Sequence, residues 1–224
     1  MAPHGFWQTV EHGPPPGDDA VGYGSLYPGR VGAGWIACPI RVLPGDGTAA
    51  VASLILNQAS FAVQDTLAAA LVAQVAPHTP DVVVGVPTLG LSLAAAVARG
   101  LGHGRFVALG TSRKFWYDDR LSVPVTSITS PDAGKRLFLD PRMLPLLDGR
   151  RVLLVDDVFS TGRTLRAALA LLSIAGVAPV ACAAAMVQGE GWRGASDLPV
   201  AAAFATPRLI RGADGRWRPD QRIM

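Results

Sequence analysis

The sequence predicts an α/β protein with a central, mostly parallel β-sheet flanked by helices. Two observations support this prediction. Short apolar runs without polar alternation, as expected for strands buried on both faces, alternate with helical stretches through the middle of the chain. The chain has 224 residues, of which 50% are hydrophobic and 17% charged, so one compact domain can bury enough surface to fold and disorder is excluded for most of it.

The first half of the chain begins without a regular pattern. Residues 1–35 are rich in Gly and Pro with scattered aromatic side chains, which predicts irregular structure or a cap. An apolar helix is expected over 63–75, ending before Pro77, and a buried strand over 81–86. A turn and an Ala-rich helix follow over 87–99.

A long polar and aromatic stretch interrupts this alternation at residues 111–135. It follows a predicted strand over 106–109 and is interpreted as an exposed loop with a hairpin in 123–128. Loops of this length in compact domains are often functional lids. The alternation then resumes with a strand, a helix and a strand over 151–155, 165–175 and 180–187. Right-handed connections between parallel strands would place ligands at the carboxyl ends of these strands.

The segment Val152–Thr164 is the best candidate for a chemical site. Its apolar strand delivers Asp156 and Asp157 to the sheet edge, where carboxylates can accept hydrogen bonds from sugar hydroxyls or lie near a magnesium ion. Ser160 and Thr161 are expected to cap the following helix, whose N-terminal amides form an anion site suited to phosphate. The alternative is a solvated strand end followed by an ordinary helix cap.

Composition excludes several other classes. Cys38 and Cys182 are far apart and outside metal-like spacing, which suits a reducing cytoplasm and argues against a disulfide scaffold or a zinc site. No apolar stretch is long enough to cross a membrane, and the N-terminus lacks a signal-peptide core. The net charge of +3 is too small to indicate nucleic-acid binding. A solvated tail is expected for the arginines near the end, Arg208, Arg211, Arg216, Arg218 and Arg222.

Residues 152–165, VLLVDDVFSTGRTL, resemble the signature with which type I phosphoribosyltransferases bind phosphoribosyl pyrophosphate (PRPP). Residues 83–90 resemble the pyrophosphate loop of that family, and residues 111–135 resemble its mobile flap. The resemblance therefore extends over three separate motifs of one family.

The resemblance implies a role for each residue of these motifs. Asp156 and Asp157 would bind the ribose hydroxyls of PRPP, and Arg113 and Lys114 would close with the flap onto the departing pyrophosphate; these four are the expected catalytic residues. The 5′-phosphate would be held by Ser160, Thr161, Gly162, Arg163 and Thr164. The pyrophosphate would accept hydrogen bonds from the amides of Thr88, Leu89 and Gly90. The base would contact Val158 and Phe159.

The family resemblance also implies a cofactor and an architecture. Magnesium would be held through PRPP near the two aspartates, without an assigned side-chain ligand. The chain would be a single domain over 1–224 with its core at about 48–190, and a small hood formed by about 20–47 and 191–224. A cytoplasmic homodimer is expected, and the aromatic flap residues 115–117 are interpreted as packing a hairpin or a dimer contact, with stacking on the base as the alternative.

The implied reaction is the transfer of 5-phosphoribose from PRPP to a nucleobase with release of pyrophosphate, as in nucleotide salvage. Residues 112–114 and 127–129 favour the purine branch, with adenine, xanthine or guanine as the base. The sequence Thr-Gly-Arg-Thr at 161–164 also matches the uracil enzymes, so a uracil- or orotate-type pyrimidine enzyme is an alternative. Ser160 replaces the third acid of hypoxanthine-type relatives, and the flap lacks the Glu of adenine-type relatives. The base-side proton acceptor is therefore unassigned, and a PRPP-sensing regulatory protein is a further alternative.

Overall fold

The computed structural model describes residues 1–125 and 135–221. In chain order, its strands are β1 (Leu26–Val31), β2 (Gly34–Val42), β3 (Ala49–Ala52), β4 (Val82–Gly85), β5 (Val107–Ala108), β6 (Ser122–Pro124), β7 (Arg136–Phe138), β8 (Val152–Phe159), β9 (Pro179–Gln188), β10 (Val200–Thr206), β11 (Arg208–Arg211) and β12 (Trp217–Pro219). The α-helices are α1 (Phe61–Val75), α2 (Gly90–Gly100), α3 (Leu144–Leu147) and α4 (Arg163–Ile174). No helix among the described residues has the length and hydropathy needed to cross a membrane.

Five parallel strands form the central sheet, in the order β10-β9-β8-β4-β5. Successive residues of β8 face opposite sides of this sheet. Leu153 packs in the apolar cluster that contains Leu67 of α1 and Leu93 of α2, whereas Leu154 packs in the cluster that contains Leu165 of α4. Helices therefore cover both faces, and the predicted α/β class with a parallel central sheet is confirmed.

Strand β8 is longer than the sequence predicts. The apolar run indicated an end at Val155, but pairing with β9 continues until Phe159 lies opposite Val187. Asp156 and Asp157 are consequently part of the strand and not of a loop beyond it. Partner strands, which a single run of residues does not reveal, supply the hydrogen bonds that extend β8.

A second sheet is antiparallel and has the order β1-β2-β3-β11-β12. It has its own small core of Tyr23, Ala50, Leu209 and Trp217. The expectation of irregular structure for residues 1–35 is wrong where β1 and the beginning of β2 form a hairpin. Both end regions of the chain contribute strands to this sheet, in agreement with the small hood predicted from terminal segments.

The arginine-rich end is also different from the prediction, because it is not a solvated tail. Strand β11 pairs with β3, Arg216 donates to the carbonyl oxygen of Gly22 at 2.7 Å, and Arg218 forms an ion pair with Asp214 at 2.7 Å. Arg222 lies outside the described residues. Strand β10, within the range expected for the hood, belongs to the central sheet. The exact hood boundaries stay a prediction.

Two helix starts illustrate how local sequence sets the elements. Ser60 caps α1, since its Oγ accepts a hydrogen bond from the Val63 amide at 3.2 Å. Helix α4 begins differently from the prediction: its N-cap is Gly162, at φ +72°, and no side chain caps it. Ser160 and Thr161 therefore precede the N-cap residue, and the prediction that they cap α4 is wrong.

The loop between β5 and β8 contains a hairpin, but its arms are not the two halves of 123–128 that the sequence predicted. Strands β6 and β7 are antiparallel, with Ser122 opposite Phe138 and Pro124 opposite Arg136. Residues 126–134, which include the second half of the predicted 123–128 hairpin and Asp132, lie outside the described residues.

Candidate functional site

The acids and the two turns predicted to bind phosphate meet at the carboxyl edge of the central sheet. Strands β4 and β8 are neighbours, with Gly85 opposite Val155, so the turn 87–90 after β4 lies beside Asp156. Helix α2 begins at Gly90, directly after this turn. Strand β8 leads on the other side into the turn 160–162 and α4. The fold thus brings together three segments that the sequence separates.

Gly90 makes the closest approach between these segments. A Cβ placed on Gly90 would lie 2.7 Å from the Cα of Asp156, closer than real Cβ atoms come to other atoms. The sequence prediction attributed this glycine to the space that a pyrophosphate needs. The structure shows that strand β8 itself already requires it.

Asp156 and Asp157 have different surroundings although they are adjacent. Asp156 is 4% exposed, and its Oδ1 accepts a hydrogen bond from the Asp157 amide at 2.8 Å. Asp157 is half-buried and therefore retains surface for a ligand. Of the two predicted ribose-binding acids, Asp157 is the more accessible in this structure.

Burial controls the acidity of both carboxyl groups. It raises the pKa of Asp156 well above its usual range, and the neighbouring Asp157 carboxylate raises it further. The pKa of Asp157 is also raised by burial, an effect that hydrogen bonds oppose. Two adjacent carboxyls with little water cannot both ionise easily, so the pair favours a proton on Asp156 and the charge on Asp157.

The turn from Ser160 to Gly162 is shaped for an anion. The first amides of α4 have no intrahelical acceptor, and the helix dipole is positive at this end. Two exposed cations, Arg163 and Arg166, lie on the first turn of the helix, and Arg166 donates to the Thr161 carbonyl oxygen at 3.1 Å. The five predicted phosphate-binding residues, 160–164, therefore all lie at the start of α4.

Residues 189–195 lie against the outside of this turn. A Cβ on Gly162 would lie 2.6 Å from Ala195 Cβ, and one on Gly191 would lie 3.1 Å from the Ser160 carbonyl oxygen. Trp192 holds this segment in place by donating from Nε1 to the Gly189 carbonyl oxygen at 2.9 Å. The sequence predicted that residues 191–224 belong to the hood but did not predict this contact with the phosphate-binding turn.

Gln188, at the end of β9, is a residue that the sequence analysis missed. Its Oε1 accepts a hydrogen bond from Ser160 Oγ at 3.2 Å. The amide ends an otherwise apolar strand, and this change from apolar to polar could have indicated its place at the edge.

The predicted flap cations are exposed and engaged with their own loop. Arg113 forms an ion pair with Asp119, with 2.5 Å between Nε and Oδ1. This carboxylate raises the pKa of Arg113, and the guanidinium lowers the pKa of Asp119. Lys114 is exposed, and its carbonyl oxygen accepts from the Tyr117 amide. In this conformation the Arg113 charge is directed to Asp119.

The three flap aromatics have different surroundings. Tyr117 lies with its ring centroid 6.0 Å from that of Phe138 in β7. Trp116 donates from Nε1 to Asp140 Oδ2 at 3.3 Å, and the Arg142 guanidinium lies 4.7 Å from its ring centroid. Tyr117 therefore packs on the hairpin, Trp116 contacts residues that follow it, and Phe115 is 90% exposed.

The two predicted base contacts differ in accessibility. Val158 is half-buried, packed at the border of the core. Phe159 is 2% exposed and lies inside the cluster formed with α4, so it has almost no surface for a base. The alternation of a strand explains the difference, because Phe159 extends β8 and points to the face that α4 covers. The structure therefore favours Val158 alone among the predicted base contacts.

The donor set near the aspartates suits magnesium only with help from a ligand. Within 1–125 and 135–221, no group of three or more His, Cys, Asp or Glu side chains could hold a metal ion. Magnesium commonly binds through one or two carboxylates together with substrate phosphates and water. Asp157, with Asp156 beside it, fits that kind of site.

Comparisons with known proteins agree with this geometry. Residues 51–200 match the family profile described as the phosphoribosyl transferase domain. The chain is 32% identical over 137 residues to the bifunctional protein PyrR of Leifsonia xyli, covering 60% of this chain and 70% of that protein. It is 35% identical over 144 residues to the adenine phosphoribosyltransferase of Saccharopolyspora erythraea, covering 62% of this chain and 72% of that protein.

A solved structure shows the same fold. The adenine phosphoribosyltransferase of Saccharomyces cerevisiae, complexed with adenine and an imino-altritol bisphosphate, has a TM-score of 0.60 at 17% identity, covering 80% of this chain and 93% of that one.

Proposed function

The chain belongs to the phosphoribosyltransferase family, as residues 51–200 show, and from this premise we propose that it transfers 5-phosphoribose from PRPP to a purine base. One observation carries the proposal: Asp157, the more exposed of the two adjacent acids, lies between two turns suited to anions at one sheet edge. PRPP has the matching order of groups, with a diol between a 5′-phosphate and a pyrophosphate.

Each part of the edge then has a distinct task. The start of α4 binds the 5′-phosphate through amides, with Arg163 adding positive charge. Asp157 accepts hydrogen bonds from the ribose hydroxyls. Asp156 positions it by accepting a hydrogen bond from the Asp157 amide. The turn 87–90 binds the pyrophosphate through the amides of Thr88, Leu89 and Gly90. Magnesium, held by PRPP beside Asp157, would reduce the charge repulsion of the phosphates.

The reaction exchanges one bond at ribose C1 for another. The bond from C1 to the pyrophosphate oxygen breaks, its electron pair leaves with pyrophosphate, and a ring nitrogen of the base forms the new bond from the opposite face. Negative charge grows on the departing oxygen, so Arg113 and Lys114 contribute most if both reach that oxygen in the transition state, for which Arg113 must leave Asp119. Closure of their loop would also exclude water, which would otherwise compete with the base.

Base identity depends on the polar groups near Val158. Ser160 is a neutral hydroxyl where an acid would accept a proton from the base, so the base must lose its proton to another group or to water. A purine is the first candidate, because the adenine enzymes stand among the most similar relatives and share the fold.

A second candidate is supported by the relatives named PyrR, which match at a similar identity. The protein would then act on a pyrimidine, or bind PRPP and control a partner. The buried free thiols Cys38 and Cys182 suit the cytoplasm in either case. A homodimer remains part of the proposal.

The deciding experiment is a product screen. The purified chain is incubated with PRPP, magnesium and each of a panel of purine and pyrimidine bases, and nucleotides are detected by mass. A purine nucleotide supports the proposal, and a pyrimidine nucleotide overturns the base assignment. PRPP binding without any nucleotide overturns the enzyme and favours the regulator.

A further inference from the structure

Gln188 lies at the junction of the two sheets, next to the turn that precedes α4. It is the last residue of β9, and the pairing of Val187 with Phe159 places it beside Ser160. Its side chain is half-buried. A long polar side chain is costly to bury unless both ends of its amide find partners.

Both ends do find partners, one in the turn after β8 and one in the antiparallel sheet. The Gln188 Oε1 accepts from Ser160 Oγ at 3.2 Å, and its Nε2 donates to the Ala52 carbonyl oxygen at 2.6 Å. Ala52 is the last residue of β3 in the antiparallel sheet and is fully buried. A carboxamide is suited to this bridge because it carries an acceptor and a donor on one short group.

The bridge fixes a hydroxyl that otherwise would rotate freely. Ser160 does not cap α4, as described above, and its hydroxyl is directed to Gln188 instead. The segment after Gln188 also packs closely against the turn, because a Cβ on Gly191 would lie 3.1 Å from the Ser160 carbonyl oxygen. The position of the turn is therefore tied to β9 and, through β9, to β3.

We propose that Gln188 is a positioning residue, whose amide couples the phosphate-binding turn at Ser160 to the antiparallel sheet at Ala52. The identity of the ligand as PRPP rests on the proposed function, whereas the coupling between the turn and the antiparallel sheet does not. When PRPP occupies the turn, the antiparallel sheet is held more firmly at Ala52, and loosening that sheet weakens PRPP binding. By this route one side chain transmits occupancy of the turn to the antiparallel sheet.

The first test measures hydrogen exchange in the ligand-free chain. Gln188→Met keeps the length of the side chain and removes both hydrogen bonds. It should speed exchange about tenfold in peptides covering 49–54 and 160–164, the effect of losing roughly one net hydrogen bond. Gln188→Glu keeps the acceptor for Ser160 and loses the donor to Ala52, so it should speed exchange only in 49–54. This second variant keeps the test valid if the first one folds poorly.

A matched control is available in the same chain. Gln74 in α1 also donates from Nε2 to an alanine carbonyl oxygen, that of Ala202 in β10, at 2.9 Å. Gln74→Met should leave exchange in both peptides unchanged. If Gln188→Met behaves like Gln74→Met, the coupling is overturned.

The second test measures PRPP binding by calorimetry in a double-mutant cycle. Gln188→Met should raise the Kd for PRPP about tenfold, and Ser160→Ala should raise it too, but the double variant should be no weaker than the worse single variant. Independent effects that multiply would show that Gln188 does not act through Ser160 and would overturn the proposal. If the wild-type chain binds no PRPP, the proposed function fails, while the exchange experiment still decides the coupling.

Discussion

Gly90 and Asp156 are packed against each other with no room for a side chain between them. The atom that a Cβ on Gly90 would approach most closely after Asp156 Cα is Oδ1 of the same residue, at 2.8 Å. The start of α2 and the acidic strand therefore form one unit, and a change in either one moves the other. The separation between the turn 87–90 and the acids is fixed by this contact.

Gly90→Ala should lower both stability and activity. The added methyl group must push α2 away from β8, and overpacking of this kind costs about 1–3 kcal/mol. Urea unfolding measures the loss, and PRPP-dependent turnover should fall because the turn moves relative to Asp157. Gly104→Ala is the control, since a Cβ there meets nothing within 4 Å. Equal effects of the two substitutions would contradict the packing argument.

Asp156→Asn should flatten the dependence of stability on pH. Burial raises the pKa of Asp156 in the folded chain, so the folded state keeps a proton that the unfolded state releases near pH 4. The free energy of unfolding of the wild type should therefore fall as pH rises above 4, up to the raised pKa. Asparagine cannot titrate, so this part of the fall disappears.

Unfolding in urea at several values between pH 4.5 and 8 checks this difference. Asp140→Asn is the contrasting control, because Arg142 lowers the pKa of Asp140 to about 2. The contribution of the Asp140 carboxylate to the free energy of unfolding is complete above about pH 4 and is lost only as pH falls toward 2. Asp140→Asn should therefore lower the free energy of unfolding by the same amount at every pH between 4.5 and 8. If the free energy of unfolding of the wild type and of Asp156→Asn changed in the same way from pH 5 to 8, that result would count against a protonated Asp156.

Gly162→Ala should be more damaging than Gly176→Ala. Both glycines have a positive φ, +72° and +74°, but a Cβ on Gly162 would lie 2.6 Å from Ala195 Cβ and one on Gly176 meets nothing within 4 Å. The backbone strain is shared, at roughly 1 kcal/mol. The clash adds about 1–3 kcal/mol for Gly162→Ala alone. Thermal and urea unfolding compare the two, and only Gly162→Ala should also weaken PRPP binding.

Arg113→Ala should reduce turnover while leaving stability almost unchanged. Its ion pair with Asp119 is exposed, and such pairs contribute little. Loss of a cation that acts in the transition state lowers kcat by about 10²-fold, and Lys114→Ala should act in the same direction. Steady-state kinetics with PRPP measure both.

Arg120→Ala serves as the control for the flap, because Arg120 forms a similar exposed pair with Asp118 in the same loop. Its kcat should stay near the wild-type value. If kcat of Arg120→Ala fell as far as that of Arg113→Ala, loss of any positive charge from the loop would reduce turnover, and a specific role of Arg113 would be contradicted.

The sequence was sufficient where apolar runs are dense. Strands β4 and β8 and helix α4 were located by their apolar residues, and the family signature lies on β8 and the start of α4, although β8 continues beyond its predicted end and α4 begins at Arg163. Strand β1 was not predictable, because Pro28 and Gly29 interrupt its pattern, and its stability comes from pairing with β2.

The site was predictable in its residues but not in their exposure. The order of acids and turns along the chain indicates one edge, yet only the folded structure shows that Asp156 is buried against Gly90 while Asp157 is half-buried. Phe159 and Val158 are adjacent in sequence and differ in surroundings because β8 continues beyond its apolar run. The polar end of β9 could have placed Gln188 at the edge, but its hydrogen bond with the distant Ala52 was not predictable from local sequence.

The arrangement of the antiparallel sheet has a consequence for synthesis on the ribosome. Strands β1, β2 and β3 emerge early, but β11, the second neighbour of β3, emerges only after every strand of the parallel sheet. Until then the free edge of β3 presents unpaired amides and carbonyls, which attract other strands. The nascent chain is therefore expected to need shielding at Ala49–Ala52, from a chaperone or from its own folded core, until residues 208–211 arrive.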